Sequence, residues 1–411
     1  FRSKIPFLKI ADITKVEGKF VFDSETKVNE LGAEKSRLLK KGSLILTNSG
    51  TVCVPKFLGV DACIHDGFVA FQNFKTEFNQ EFLFHYFNYS RPFVIQKHKQ
   101  GITQVNLNTE IVKDFDIPLV FLPEQHRIVA KIEELFSALE KGVQTLKTAQ
   151  QQLKVYRQAV LKWAFEGKLT NENINNGELP QGWEVVKLGE VCHTTSGGTP
   201  SRKVSKYYQG NIPWVKSGEL GKGLIIDTVE KITEEAIKNS SAKIFPKGSL
   251  LIALYGVTVG KLAFLGIDAA TNQAVCGIFK NEIFKSEFLY HYLFYQRRNL
   301  LSQSFGGAQP NISQTILKGL NIPLPPLPEQ HTIVQEIESR LSVCDKIEET
   351  IESALQQSEA LRQSILKKAF EGKLVPQNPQ DEPASKLLEH IKTERAKAKP
   401  LTKTRIKQTT I

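Results

Sequence analysis

The chain has 411 residues, with 54 lysines and arginines against 43 aspartates and glutamates, so its formal net charge is +11. This length is enough for two or three domains, and the basic surplus favours a polyanionic partner, nucleic acid first and an anionic membrane second. No apolar run reaches transmembrane length, no signal peptide is recognisable, and the five cysteines show neither CxxC nor metal-ligand spacing with histidine, which argues against a zinc site or disulfide framework and favours the reducing cytoplasm.

Residues 1–116 form a first segment in which short apolar runs alternate with Gly and Asp turns. Residues 41–47 (KGSLILT) predict a turn followed by a strand, and residues 79–88 (NQEFLFHYFN) predict a short aromatic helix. Because methionine is absent and residue 1 is phenylalanine, we expect that methionines were replaced or omitted and that an N-terminal piece is missing.

Residues 117–170 and 322–375 are two copies of one sequence, with 28 identities in 54 positions at a constant offset of 205. This similarity indicates an internal duplication. Pro123 and Pro328 suit the first turn of a helix, and Gly167 and Gly372 suit its end, so each copy predicts one helix of about 45 residues, or roughly 65–70 Å. The predicted helix segments are residues 117–171 and 322–375.

A helix of this length needs a partner to bury its apolar side. Apolar residues repeat every seven positions in both copies, which predicts that the two helices pack as an antiparallel coiled coil with a pseudo-two-fold axis. Gly142, Ala149 and Ala354 would allow close approach. Two separate core helices of one globule are the alternative. The predicted seam consists of Ile132, Leu139, Leu146, Leu153, Val160, Ile337, Ile347, Ile351, Leu361 and Ile365.

Residues 172–321 form a second segment, which begins with a polar linker and then repeats the order of the first. KGSLLI at 247–252 matches KGSLIL at 41–46, whereas the stretch that begins at residue 182 has no match in the first segment. Strands rich in β-branched and aromatic residues, combined with short helices, predict an α/β (α+β) fold for both segments. Residues 376–411 form a basic tail.

Polar loops recur at matching places in both segments and are the candidate nucleic-acid contacts. Asn and Gln can bond adenine edges, Lys can reach guanine or phosphate, and Gly lets a backbone come close. An ordinary turn is the alternative at each single position. The candidates in the first segment are Lys9, Thr47, Asn48, Ser49, Gly50, Gln104 and Asn106. Those in the second are Ser196, Gly197, Gly198, Thr199, Ser201, Lys216, Ser217, Tyr255, Gly256, Thr258, Lys261, Asn272, Gln273, Gln309 and Asn311.

The sequence carries no catalytic signature. It lacks a GxGxxG motif opening a strand–helix unit, a GxxxxGK[ST] loop and an N/D-P-P-Y/F motif. His126 and His331 lie in the duplicated PEQH, where we expect hydrogen bonding near a helix start. Asp12 followed by Glu25 and Lys27 is a nuclease-like spacing that could hold magnesium, but the second segment has no equivalent.

Together these motifs resemble the specificity subunit of type I restriction–modification enzymes. The resemblance covers almost the whole chain. It is carried by IPLxxLPEQxxIV at 117–129 and 322–334, AFEGKL at 164–169 and 369–374, LPxGWxxxxLGEV at 179–191, GGTPS at 197–201, IPWV at 212–215 and LYGxTxGK at 254–261.

The resemblance implies two globular target recognition domains of mixed β-sheet and short helices, residues 1–116 and 172–321, separated by the antiparallel helices. Each domain would read one half of a bipartite site in double-stranded DNA, and the helices would fix the spacer and dock partner subunits. The chain itself would be non-catalytic and without a cofactor. Its implied partners are two methyltransferase subunits that use S-adenosylmethionine and restriction subunits that use ATP and Mg²⁺, with no membrane involved. The first domain departs from the pattern in its missing start and its weaker Gly-rich loop.

Three alternatives stay open. The chain could be the DNA-recognition part of another restriction–methylation system, or a helical scaffold that joins two protein-binding modules without nucleic acid. Retention on DNA that weakens steeply with salt distinguishes these two, because phosphate contacts release counterions. A magnesium nuclease, the third, predicts cleavage by the isolated chain and its loss on Glu25→Ala.

Overall fold

The computed structural model describes residues 4–71, 78–98, 109–113, 115–171, 174–175, 177–303 and 311–397. The chain forms two compact units, which we call unit 1 (Phe1–Leu146 with Ser353–Ile411) and unit 2 (Lys147–Glu352). Each unit therefore contains one strand-rich segment, the first part of one long helix and the last part of the other. None of the described helices is both long and apolar enough to cross a membrane.

Eleven helices are found in the described part of the chain. In chain order they are α1 (Ile10–Lys15), α2 (Glu30–Glu34), α3 (Gln80–His98), α4 (Thr109–Lys113), α5 (Leu122–Phe165), α6 (Leu188–Val191), α7 (Glu234–Lys238), α8 (Ser286–Ser302), α9 (Gln314–Lys318), α10 (Leu327–Phe370) and α11 (Ala384–Lys397). Two short 3₁₀ turns cover Ser205–Tyr208 and Ser217–Glu219.

Unit 1 contains two four-stranded sheets among its described residues, in the orders β3-β1-β7-β4 and β2-β6-β5-β8. The predicted strand after the turn at Gly42 is confirmed as β5. The predicted aromatic helix is confirmed but longer, because α3 continues past Pro92 and buries Val94 in the core. The strands are β1 (Ile5–Leu8), β2 (Phe20–Val21), β3 (Lys27–Val28), β4 (Arg37–Leu39), β5 (Leu44–Thr47), β6 (Pro55–Leu58), β7 (Ala62–Ile64) and β8 (Phe68–Phe71).

Unit 2 repeats both sheets and extends them. Its orders are β13-β11-β17-β14, β10-β18-β15-β16-β12 and the pair β19-β9, so the additional strands β9 and β10 come from the stretch that the first segment lacks. The strands are β9 (Glu184–Lys187), β10 (Thr194–Ser196), β11 (Ile212–Val215), β12 (Gly223–Ile225), β13 (Glu230–Ile232), β14 (Ile244–Phe245), β15 (Leu250–Ala253), β16 (Leu262–Leu265), β17 (Ala269–Thr271), β18 (Val275–Ile278) and β19 (Asn321–Leu324).

The two long helices have 44 residues each and pack antiparallel, as predicted. In unit 1 the start of α5 shares an apolar cluster with the end of α10, through Ile132 and Ile365. In unit 2 the end of α5 shares a cluster with the start of α10, through Leu161 and Ile337. In each cluster the beginning of one long helix packs against the end of the other, which happens only in an antiparallel pair.

Equivalent ion pairs connect the two long helices in unit 1 and in unit 2. In unit 1 the guanidinium of Arg362 lies 3.1 Å from Glu140. In unit 2 the guanidinium of Arg157 lies 2.7 Å from Asp345 and 2.9 Å from Glu348. A shift of 205 residues converts Glu140 into Asp345 and Arg157 into Arg362, so the same contact forms in both units.

Some helix positions differ from the prediction. Ile347 and Leu361 are 44% and 51% exposed, so they lie outside the buried seam. The row with Ile337, Ile351 and Ile365 stays buried along α10, so the helix buries this first row of the repeat and turns Ile347 and Leu361 of the second row away. A Cβ atom at Gly142 would meet nothing within 4 Å, so Gly142 is not a point of close approach. Leu139 and Leu146 are half-buried, whereas the other predicted seam residues are buried: Ile132, Leu153, Val160, Ile337, Ile351 and Ile365.

Each long helix ends in a phenylalanine that enters an aromatic cluster of its own unit. Phe165 contacts Phe288, Tyr292 and Tyr295 on α8, with ring centroids 4.9–5.6 Å apart. In unit 1, Phe370 contacts the matching residues of α3, which are Phe82, Tyr86 and Tyr89. The AFEGKL motif thus attaches each helix end to a strand-rich segment.

The glutamine of PEQH attaches each helix start in the same way. Gln330 is fully buried and accepts a hydrogen bond of 2.8 Å from the Lys285 N–H, while its amide donates to the carbonyls of Ile283 and Pro325. Gln125 is also fully buried; it accepts from the Asn79 N–H and donates to the Val120 carbonyl. The partners are backbone groups in every case.

An ionic network adds to the attachment in unit 1. Glu133 of α5 accepts from His85 at 2.8 Å and lies 3.2 Å from the ammonium of Lys19, which also pairs with Glu81. The hydrogen bond from His85, followed by that from Lys19, lowers the pKa of Glu133 to about 2. In unit 2 the matching pair, His291 and Glu338, is 3.9 Å apart, and burial lowers the pKa of His291.

Candidate nucleic-acid interface

In unit 2 the strand directions bring most of the predicted loops to one edge of the sheets. Strands β11 and β17 are parallel, so the residues after them are neighbours, and the Asn272 N–H donates to the Val215 carbonyl next to Lys216. Strand β15 is antiparallel to β16 and β18, and β10 is antiparallel to β18. The end of β15 and the end of β10 therefore lie beside the start of β18, at the same edge.

The Gly-rich loop after β10 packs tightly against this edge. The N–H groups of Gly197 and Gly198 donate to the carbonyls of Val275 and Thr271. A Cβ atom at Gly197 would overlap the Thr271 backbone, and one at Gly198 would overlap the Ser241 backbone. Both glycines are buried, so their small size serves contacts within the protein, in contrast to the predicted approach to nucleic acid.

Side chains of different loops then contact each other. Thr199 donates to the exposed Gln273, and Ser196 accepts a hydrogen bond of 2.6 Å from Gln314. Tyr255 forms a backbone bridge with Asn311, and burial raises the pKa of its hydroxyl. The loops after β10, β15 and β17 and the segment before α9 thus form one connected surface.

Arg202 occupies the border of this surface. Its guanidinium lies 4.1 Å from the ring centroid of Tyr208 and 5.1 Å from that of Trp214. Glu230 of β13 forms an ion pair with Arg202 at 2.7 Å and accepts a hydrogen bond of 2.6 Å from Lys216. These two cations, Arg202 first, hold the pKa of Glu230 below its ordinary value, so the carboxylate stays ionised while bridging them.

The remaining predicted residues of unit 2 lie around this surface. The Lys261 side chain is exposed, and its stem packs against Gly221. The turn that precedes it contains Gly256 with a positive φ of 87° and carries Val257, which is fully exposed at its tip. Ser201 is exposed, and Thr258 and Ser217 are half-buried.

In unit 1 a smaller set of loops meets at the corresponding edge. Strands β1 and β7 are parallel, which places Lys9 and His65 after neighbouring strand ends. The Asn48 amide donates to the Asp66 carbonyl at 3.0 Å, and the Ser49 hydroxyl faces Gly67. Gly50 has a positive φ of 64° and lies beside Ile10.

Thr47 does not belong to the accessible part of this edge. Its side chain is fully buried, donates to the Thr51 carbonyl and accepts from the Val54 N–H at 2.9 Å. Thr47 therefore holds the loop in shape and does not face a ligand. Gln104, Asn106 and Gln309 were also predicted as contacts and lie outside the described residues.

Sequence reasoning missed four residues at these edges: His65, Asp66, Arg202 and Gln314. The two copies contain a signal for the first pair, because β7 matches β17 at an offset of 207, which aligns His65 and Asp66 with Asn272 and Gln273. Arg202 and Gln314 have no such signal, since their positions depend on contacts with Trp214 and Ser196 that are remote in sequence.

The nuclease-like spacing has a structural explanation. The Asp12 carboxylate accepts from the Lys9 N–H and from the Ser24 hydroxyl, and so caps the short helix α1. Glu25 is mostly exposed and pairs with Lys15. Across the described residues, no group of three or more His, Cys, Asp or Glu side chains could hold a metal ion. Of the PEQH histidines, His331 lies 2.7 Å from the Lys285 ammonium, and His126 is exposed.

Comparison with known proteins identifies the family. A model of the type I restriction modification DNA specificity domain matches residues 1–148 and 180–357. The chain belongs to this family. Its two matched regions correspond to the two strand-rich segments with adjoining parts of the long helices, in agreement with the resemblance of the sequence motifs.

Curated relatives and a solved structure agree. The chain is 31% identical over 317 residues to the StySPI specificity subunit of Salmonella potsdam, covering 71% of this chain and 67% of the relative. It is 32% identical over 213 residues to the MjaIX specificity subunit of Methanocaldococcus jannaschii, and the match covers 50% of this chain and 47% of that relative. The match to this relative therefore spans about half of the relative's length. The HsdS subunit of Thermoanaerobacter tengcongensis has the same fold, with a TM-score of 0.61, 23% identity and coverage of 88% and 90%.

Proposed function

We propose that this chain is the DNA specificity subunit of a type I restriction–modification complex, in which units 1 and 2 each read one half of a bipartite site. The observation that carries the proposal is the edge of unit 2, where loops from separate strands form one surface of amide, hydroxyl and cationic side chains. Such side chains supply the donors and acceptors that distinguish base pairs in the major groove.

The duplicated architecture supports the bipartite part of the proposal. Both units present loops at matching strand ends, but the residues there differ: Asn272 and Gln273 in unit 2 take the places of His65 and Asp66 in unit 1. Two modules that share a core framework but carry different residues at the loop edge fit two different half-sites. The continuous helices α5 and α10 would then set the number of base pairs between the half-sites.

In this proposal the chain selects the site and does no chemistry. Methyl transfer from S-adenosylmethionine would belong to two methyltransferase subunits, and ATP- and Mg²⁺-dependent restriction to further subunits. The long helices, with exposed apolar residues such as Val155 and Val343, offer surfaces for such subunits. The isolated chain is therefore expected to bind duplex DNA without modifying or cleaving it.

The test is an exchange of residues 182–316 for the corresponding segment of another family member. The chimera is expressed with the same methyltransferase subunit, and the modified sites of the host genome are sequenced. One half-site should change and the other should remain. The reciprocal exchange of residues 1–116 is the matched control and should change the opposite half. A chimera that alters both half-sites, or neither, contradicts the modular assignment.

The scaffold alternative requires a separate measurement. Duplex binding by the complex should weaken steeply between 50 and 200 mM salt, because each phosphate contact contributes about one unit to the slope of log K against log salt. A complex that ignores duplex DNA at low salt would favour a protein-binding scaffold.

A further inference from the structure

Arg202 is more firmly held than the other exposed cations of the unit 2 edge. Two aromatic rings and one carboxylate fix its guanidinium, although 54% of the side chain is accessible. The rings are themselves fixed: the Trp214 indole donates to the Gly198 carbonyl at 3.1 Å, and the Tyr208 hydroxyl donates to the Pro200 carbonyl at 2.6 Å. The Gly-rich loop, Trp214 and Arg202 therefore form one rigid group.

The contacts of the guanidinium leave N–H donors available. Arginine has five N–H donors in a planar fork, and the ion pair between Arg202 and Glu230 involves Nη1. Glu230 also binds Lys216, so two cations share this carboxylate. Lys216 follows β11 directly, which places this pair at the edge where Asn272 and Gln273 also lie.

A purely structural role explains this arrangement less well. Trp214 is already 1% exposed and bonded to the Gly-rich loop, so the loop does not need an accessible cation to hold it. A phosphate can accept a bidentate contact from the same fork, so a measured base preference is what distinguishes a phosphate contact from a base contact. Discrimination between bases needs a planar group in one orientation, because bidentate contact with guanine O6 and N7 depends on geometry.

We propose that Arg202 reads a guanine in the half-site contacted by unit 2, with Tyr208, Trp214 and Glu230 as the residues that orient its guanidinium. This inference rests on the proposed function. It adds a specificity-determining residue that the sequence pattern does not indicate, and it assigns a chemical identity to one base of the target.

The experiment uses the full chain in complex with its methyltransferase subunit. Modified sites are sequenced for the wild type, Arg202→Lys and Glu230→Gln, with Lys203→Ala as the matched control at the neighbouring exposed cation. Arg202→Lys keeps the charge but loses the planar fork. It should reduce the preference for one G·C pair in the unit 2 half-site by about 10-fold or more, and leave the other half-site unchanged.

Glu230→Gln removes the ion pair that orients the guanidinium but keeps the guanidinium, so it should reduce the preference for the same G·C pair. This second variant keeps the test decisive if Arg202→Lys accumulates poorly. Lys203→Ala should leave the motif intact. A uniform loss of modification without any relaxed position would identify a phosphate contact and overturn the proposal, as would an unchanged motif. A wild-type complex that shows no bipartite motif would overturn the proposed function itself, which separates the two failures.

Discussion

Replacement of Gln330 by leucine tests whether the PEQH motif attaches the long helix to unit 2 through backbone groups. The two side chains have nearly equal volume, so the substitution leaves little cavity. It deprives the Lys285 N–H of its acceptor and the carbonyls of Ile283 and Pro325 of a donor. An unsatisfied buried polar group costs about 1–3 kcal/mol. Ile283 is partly exposed, so water can compensate its carbonyl, and we expect a total loss of about 2–4 kcal/mol.

The three tryptophans of the chain, Trp163, Trp183 and Trp214, all lie in unit 2, so their fluorescence reports the unfolding of that unit. For a unit of this size the expected loss lowers the midpoint of the fluorescence melt by about 5–10 °C. Gln335→Leu makes the same change at an exposed position of the same helix within unit 2 and should shift the midpoint by no more than about 2 °C.

The equivalent substitution in unit 1, Gln125→Leu, extends this test. Gln125→Leu removes the hydrogen bonds to Asn79 and Val120 in unit 1, where no tryptophan lies. It should therefore shift a far-UV circular dichroism transition and leave the tryptophan transition close to the wild type. A Gln330→Leu protein whose fluorescence midpoint matches that of Gln335→Leu would refute the reasoning.

Four further substitutions test other contacts. Phe165→Ala and Phe370→Ala each remove an aromatic side chain from three ring contacts. They should destabilise units 2 and 1 respectively by about 3–5 kcal/mol, as measured by tryptophan fluorescence and far-UV circular dichroism. Equal effects of both variants on the fluorescence melt would contradict the assignment. Glu133 has a pKa of about 2 in the folded chain and 4.5 ordinarily. Its contribution to folding stability is therefore present above pH 4.5 and is lost as the pH falls toward 2. Glu133→Gln should flatten that part of the pH–stability profile of unit 1, whereas Glu134→Gln should not. Gly197→Ala places a methyl group against the Thr271 backbone and should lower the fluorescence midpoint clearly, while Gly218→Ala, with open space around it, should not.

The helices were predictable because duplication and periodicity are local signals that agree with each other. The proline starts, glycine ends and antiparallel packing of α5 and α10 all follow from the two copies. The exposure of Ile347 and Leu361 was not predictable in this way, because the repeat places apolar residues in two rows and does not show which row the partner helix covers.

The interface was predictable as a set of loops and less so as individual residues. Strand ends can be located from sequence, but a side chain's direction within a loop depends on distant contacts. Thr47 illustrates this, since its hydroxyl turns inward to the Thr51 carbonyl, and Arg202 illustrates the opposite case, since Trp214 and Tyr208 hold it at the surface. The burial of the PEQH glutamines was not predicted, because the motif alone does not show which of its side chains meets the backbone of the strand-rich segment.

The contacts that attach a long helix to its unit differ in how much they constrain the exchangeable segment. Gln330 bonds to backbone N–H and C=O groups, which any sequence supplies in the same loop conformation. Phe165 contacts the side chains of Phe288, Tyr292 and Tyr295, which the incoming segment must provide itself. The exposed edge residues, such as Ser201 and Gln273, take part in neither set of contacts and can vary, whereas Gly197 and Gly198 are fixed by the backbones of Thr271 and Ser241. In the exchange of segments that the proposed function predicts, a chimera should therefore depend on its aromatic helix and its Gly-rich loop more than on its exposed edge residues.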